Sequence, residues 1–250
     1  SSKDFAILDN IGLERKPVGV KFTATRPQNL AHLSKTLNMC EMLKEAQTSE
    51  PFYVTQGDFA CVEPMLLGYE EPEPILVSGL FGGKEKLFQE ERACREMYNY
   101  LPYMKKGSVH SVAFASADKM PFDPDVLVMM ANVTQAQTLL RSVNYSTGEP
   151  ITSKFTPVCM CAWIFNYPVV SGKMNFVVTG LGLGMQALNI FPPGIFIISV
   201  PWTKISAMLN NLKEMGVERG LRPATPGPGG DEHRKKVKKM MEDLRKEIDQ

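Results

Sequence analysis

Residues 195–200, IFIISV, form an almost unbroken apolar run rich in branched side chains. A run of that length and composition is a buried strand, and a chain that carries one must build a core to cover it. With 44% hydrophobic and 22% charged residues over 250 positions, this chain can supply that core. Shorter β-rich runs precede it: PVGVKF at 17–22, whose Val18, Val20 and Phe22 share one face, then 52–54, 109–115, 126–130 and 175–179. ILVSGLF at 75–81 and residues 154–165 also read as extended.

Helical spacing fills the intervals. Phe5, Leu8 and Ile11 recur in the first fifteen residues, and Leu30, Leu33 and Leu37 begin a helix that continues past Cys40 to Ala46. Leu87, Phe88, Cys94, Met97 and Leu101 lie near one helical face, and 133–143 and 203–215 are helical too. Residues 61–67 read as a short helix or turn closed by Gly68. The succession predicts an α/β or α+β fold with a mixed sheet flanked by helices.

Two stretches, about 17–79 and 124–200, repeat a strand–helix–extended layout, the first ending at Cys61 and the second at Cys161. This echo predicts an internal duplication within one domain over 1–221, with those two cysteines in equivalent places. Residues 222–230, RPATPGPGG, form a Pro/Gly linker. Residues 231–250 follow as a C-terminal amphipathic helix, with Asp231 as its N-cap and Val237, Met240, Met241, Leu244 and Ile248 at helical spacing. That stripe either packs on its own domain or joins a second copy in a homo-oligomer; pattern alone leaves both open.

Charge narrows the partners. Against 28 basic residues stand 27 acidic ones, a net charge of +1, so no global field draws nucleic acid or an anionic membrane. No apolar segment approaches the ~20 residues that span a bilayer. The first residues, SSKDFAILDNIGLERKP, flank a brief apolar stretch with charges on both sides, unlike a secretory signal. Five cysteines, an odd number, do not suggest a disulfide framework, and a reducing cytoplasm is the expected setting.

The cysteines carry the sharpest local signal. In a strand, Cys159 and Cys161 of CMC would point the same way. Grouped thiolates hold soft metals or an iron–sulfur cluster, which takes about four of them, and Cys40 and Cys61 are the further donors. The alternative is that these are small buried hydrophobes, as Cys94 is expected to be. The loop TGLGLGM offers Gly180, Gly182 and Gly184 as a backbone cradle for an anionic group of a cofactor, or simply as a tight turn; it lacks the spacing of the dinucleotide fingerprint. Gly82 and Gly83 form a weaker site of the same kind. Hydrolytic chemistry is poorly supplied: His32, His110 and His233 belong to no HExxH, and neither GxSxG nor a P-loop occurs.

PVGVKF, Cys40 in MCEMLKEA, Cys61 followed by LLGY, DPDVLVMMANVTQAQTLL, the stretch around Cys159 and the closing IFIISVPW occur in an order that resembles the family called domain of unknown function 169. The resemblance covers about 5–215. It implies a cytoplasmic setting in anaerobic archaea and bacteria, where oxygen-sensitive clusters persist. It also implies cysteines at the places of Cys40, Cys61 and Cys159, with a fourth near the glycine loop followed by an arginine. Here Leu181, Leu183 and Gln186 stand in that region, and Cys161 is the thiol left to complete the set.

The expectation is therefore a redox-cofactor protein with an iron–sulfur cluster on Cys40, Cys61, Cys159 and Cys161, serving electron transfer or cofactor handling with a redox partner protein. The competing expectation is a non-catalytic assembly or small-molecule-binding protein with structural cysteines, or a pocket for a flavin or tetrapyrrole.

Overall fold

The structure, a computed structural model, describes residues 5–217 and 230–248. In chain order these form α1 (Ala6–Asp9), β1 (Val18–Thr23), β2 (Ala31–His32), α2 (Met39–Ala46), β3 (Phe52–Thr55), α3 (Glu63–Leu66), α4 (Pro74–Val77), α5 (Leu80–Lys84) and α6 (Glu91–Tyr100). Then come β4 (Ser111–Ser116), β5 (Val126–Ala131), α7 (Val133–Asn144), a π-helical turn (Ala162–Asn166), α8 (Tyr167–Ser171), β6 (Asn175–Val178), α9 (Leu183–Ala187), β7 (Phe196–Pro201), α10 (Trp202–Glu214) and α11 (Gly230–Ile248). The fold is mixed α/β.

One seven-stranded sheet runs in the order β2-β3-β4-β1-β5-β7-β6. Only the edge pair β2–β3 is parallel, Ala31 facing Phe52, so the sheet is mixed. At its centre β1 meets β5 antiparallel, Val18 opposite Val128 and Val20 opposite Val126, and β5 runs beside the buried β7. Position 19 leaves no room for a side chain, since a Cβ there would lie 2.1 Å from Met120 Sδ.

Alternation along each strand divides the molecule into two cores. On one face Leu127, Met129, Ile198 and Val200 pack against α1, α7 and α10 through Ile7, Leu139, Met208 and Leu212. On the other, Val18, Val20, Phe114, Val128 and Ile197 meet α2, α3, α6 and the 160–171 helix through Met42, Leu66, Met97 and Phe165. The sheet is thus sandwiched between two helical layers.

Several expectations are corrected. The long helix expected before Cys40 shrinks to α2, which starts at a capping box between Asn38 and Glu41; residues 27–36 hold only the two-residue β2. ILVSGLF is not a strand: Pro74 opens α4, and Gly79, at φ +85°, turns the chain into α5. The N-terminal helix spans only Ala6–Asp9.

The CMC segment is not extended. Cys159 sits at φ +57° and Met160 and Cys161 are already helical, so the expected strand does not form. Pro168 explains the π-turn that follows, since it lacks an N–H and its ring would crowd the Ile164 carbonyl in α geometry.

The internal duplication is not borne out. The helix expected at 27–35 in the first unit does not form, whereas its counterpart in the second is α7, so the two units do not share a layout. Asp231 stands in the first turn of α11 rather than capping it, and the expected linker, apart from Gly230, lies outside the described residues. Met240, Met241 and Leu244 on α11 are exposed.

Candidate functional site

All five cysteines line one cavity of about 230 Å³ on the α2–α3 side of the sheet, together with Glu63. Each reaches it from a different local structure. Cys40 occupies the second position of α2, where the Asn38–Glu41 capping box sets the helix start; such a cap contributes about 1 kcal/mol. Cys61 precedes α3, and its loop is tied to the α2 approach by Leu37 N–H to Asp58 O at 2.9 Å and Ala60 N–H to Leu37 O at 3.0 Å.

Cys159 and Cys161 bracket the entry to the π-helical turn. Asn166, at that turn's end, donates to Leu66 O at 3.0 Å and to Pro102 O at 3.1 Å, which locks the Cys161 helix onto the α3 segment carrying Glu63. Cys94 faces the cavity from α6 across Gly82, where a Cβ would lie 2.3 Å from its Sγ. The wall is completed by Gly182, by Gly184 and Met185 of α9 and by apolar side chains such as Phe81 and Leu188.

The thiols are graded by depth: Cys40, Cys94 and Cys161 are buried, Cys159 is half-buried and Cys61 is exposed. Burial raises the pKa of every one of them, and the Glu63 charge adds to the effect at Cys40, Cys61, Cys159 and Cys161. For Cys159 the value is pushed up to about 12. At neutral pH and without a cation these are neutral thiols; a bound metal would deprotonate them. Cys159 also pays for its left-handed backbone, roughly 1–2 kcal/mol for a residue with a Cβ. Strain of this kind gathers at functional sites.

Glu63 is the group the sequence reasoning missed. It is only 2% exposed, and Oε1 accepts the Met39 N–H at 3.1 Å while Oε2 is buried with no hydrogen-bond partner. Burial raises its pKa, and the neighbouring backbone N–H groups together with a hydrogen bond from the Cys161 thiol offset that only in part. The signal was a lone acid inside the otherwise apolar CVEPMLL. Cys94, expected to be core, was placed correctly on α6 but its cavity-facing side was not foreseen.

The four cysteines expected as ligands are therefore brought to one cavity, Cys159 and Cys161 through a helix entry rather than a strand. The expected glycine cradle divides: Gly182 and Gly184 line the cavity, whereas Gly180 forms the turn after β6 at φ +92°. The N–H groups of Leu181 and Leu183 are already bonded to Val178 O and Pro157 O, so they are not free to hold an anion. Gly82 and Gly83 lie inside α5, not in a loop.

The cavity lining holds five cysteine sulfur donors and one carboxylate, donor types that thiophilic metals take. Among the described residues no three His, Cys, Asp or Glu side chains are drawn together as a single-ion site. One tetrahedral ion with ~2.3 Å bonds to sulfur would need its sulfurs within ~3.8 Å of each other. An organic cofactor fits less well, because drug-sized ligands occupy ~300–1,000 Å³.

A model of the family called domain of unknown function 169, described as "Uncharacterised ArCR", matches residues 6–211. The uncharacterized protein MJ0308 of Methanocaldococcus jannaschii is 22% identical over 164 residues, which cover 62% of this chain and 70% of that protein. No solved structure matches. Among the described residues no helix is long and apolar enough to cross a membrane.

Proposed function

We propose, for a chain that belongs to the domain of unknown function 169 family, that its cavity holds a thiolate-ligated iron–sulfur cluster on Cys40, Cys61, Cys159 and Cys161. The observation that carries this reading is the convergence of thiols distant in sequence on a single cavity of about 230 Å³. Five cysteines scattered by chance through a core of this size would not be expected to share one wall. When bound, such a cluster supplies one-electron transfer at a potential set by burial and by hydrogen bonds to sulfur.

The chain's own residues would do the rest. The α2 cap and the Asn166 bonds hold the thiols in place, and Met185, Ile190 and the neighbouring apolar side chains keep water from the inner ones. Cys61 and Cys159, nearer the surface, mark the side from which a redox partner protein would exchange electrons. Exposed Phe81 and Leu188 on the cavity wall, with Leu181 and Leu183 close by in sequence on the α9 side, give that partner an apolar surface to meet. A cytoplasmic, anoxic setting suits a cluster so placed.

The test is anoxic purification with iron and acid-labile sulfide assays on wild type and Cys161→Ala. Stoichiometric iron and sulfide in wild type, lost in the variant, are expected. An iron-free wild type that stays folded would sink the reading and leave the cysteines as core.

A second reading concerns assembly. Met240 and Met241 of α11 are 54% and 49% exposed, on a helix otherwise rich in charge. This supports a homo-oligomer joined through the C-terminal helix, which buries that stripe. Light scattering on the full chain and on a chain ending at Val217 should show a larger species only for the former; equal masses would count against it.

A further inference from the structure

Two apolar surfaces of this chain are left bare, and their rims carry opposite charge. The first is the stripe of α11. Val237, Met240, Met241 and Leu244 stand at i, i+3, i+4 and i+7, the spacing of a helix that lays one face in an apolar groove. Every described side chain of α11 except the half-buried Val237 is exposed. Five of the six residues 234–239 are basic: Arg234, Lys235, Lys236, Lys238 and Lys239.

The second surface lies at the cavity mouth. There α4 and α5 pack together and leave Ile75, Leu80 and Phe81 exposed, and Phe81 also lines the cavity. The segment 70–91 that carries them holds Glu70, Glu71, Glu73, Glu85, Glu90 and Glu91 against Lys84 and Lys86, all exposed. Glu71 and Glu90 are paired with Lys106 and Arg92. Glu73, at the start of α4, and Glu85, at the end of α5, form no ion pair among the described residues and flank the apolar side chains.

A second α11 makes a poor cover for the first. As a coiled-coil seam, Val237, Met241, Leu244 and Ile248 span under two heptads, whereas a sustained seam needs about three to four. Lys238 and Arg245 border that seam on one side and would face their own copies across an antiparallel pair. The acidic rim of the mouth offers the opposite sign, and the chain's own α11 leaves it bare.

We infer that α11 of one copy docks on the α4–α5 side of the cavity mouth of a second copy, its stripe over Ile75 and Leu80 and its basic run against the acidic rim. The inference rests on the assembly reading above, names the surface that α11 meets, and does not depend on the cluster. Two such contacts, one in each direction, close a two-fold dimer. The docked helix leaves Leu181, Leu183 and Leu188 on the α9 side to a redox partner, with Phe81 at the border of both.

Sedimentation of the full chain and of Leu80→Glu is the first measurement. Leu80 is exposed and opens α5, where an acid suits the helix start, so the variant keeps its fold. The dimer dissociation constant should rise at least ~10-fold. An unchanged constant overturns the inference and leaves assembly through α11 standing; a monomeric wild type removes both. A photoreactive benzophenone amino acid in place of Met240, in a mixture of light and heavy-isotope chains, then reports what the stripe touches. Cross-links from α11 of one isotope to peptides within 70–91 of the other are expected. Cross-links to a second α11, cross-links confined to one isotope, or none at all overturn the inference.

Discussion

The two faces of the sheet are built to different standards. On the face covered by α1, α7 and α10, the long helices α7 and α10 pack side by side over Leu127, Met129, Ile198 and Val200, and no cysteine lies in that core. On the other face α2 and α6 are joined by short pieces: α3, α4 and α5 of four or five residues, a π-helical turn, and a cysteine at φ +57°. That face holds every cysteine, the cavity and the unpartnered Glu63 oxygen. Regular helices fill space efficiently, and irregular ones leave room and aim side chains. The molecule places its packing on one side of the sheet and its chemistry on the other.

The comparison breaks most visibly if the closed face proves tolerant. Leu139 is fully buried there, so Leu139→Ala should cost about 2–5 kcal/mol in urea unfolding while the folded fraction keeps its full iron content. A loss below ~1 kcal/mol would mean that this layer is not the stabilising one.

On the site face the next largest effect falls at Gly79. A Cβ there would lie 2.0 Å from Glu91 O at a backbone φ of +85°, and neither strain is relieved by a side-chain rotation. Gly79→Ala should therefore lose roughly 1–3 kcal/mol and, by displacing α5 from α6, reduce iron uptake as well. Stability lost with uptake unchanged would show that the α5–α6 wall does not shape the cavity.

Cys159→Gly sharpens the contrast, because stability and iron content should move in opposite directions. Glycine relieves the left-handed backbone, so the iron-free protein should gain up to ~1 kcal/mol, measured by thermal unfolding, while iron content falls. A variant both less stable and fully loaded would remove Cys159 from the site.

The smallest effect is nil at neutral pH and appears only in alkali. Burial raises the Cys159 thiol from 9.0 to about 12, and burial and the Cys159 charge raise Tyr103 from 10.0 to about 12. Folding favours the protonated, neutral forms, so this stability is fully present below pH 9 and is lost as pH rises towards 12. Denaturation of the iron-free protein across that window should show the fall, and Cys159→Ala should reduce it.

Much of the sheet was legible because its strands are written in local pattern. PVGVKF, DVLVMM and IFIISV are strands wherever they pack, since branched apolar runs bounded by turns have few alternatives. The helices α7 and α10 were legible for the same reason, being long enough for 3.6-residue spacing to repeat. ILVSGLF misled because apolar content alone does not separate a strand from a short buried helix; Pro74 and Gly79 decided it. CMC misled similarly, since Pro168, seven residues beyond Cys161, imposes the wide turn through a carbonyl clash that composition does not display.

What the sequence determined by itself was the class of fold, the family, and the four cysteines worth watching. Each of these depends on residues near one another or on the order of blocks along the chain. Which face each helix covers, that Cys94 joins the other thiols, and that Glu63 stands among them with a bare oxygen were decided only by tertiary structure. Residues 40, 61, 94 and 159–161 are brought to one cavity by contacts between elements far apart in the chain. No local periodicity records such contacts, because the free energy that selects them comes from burying shared surface.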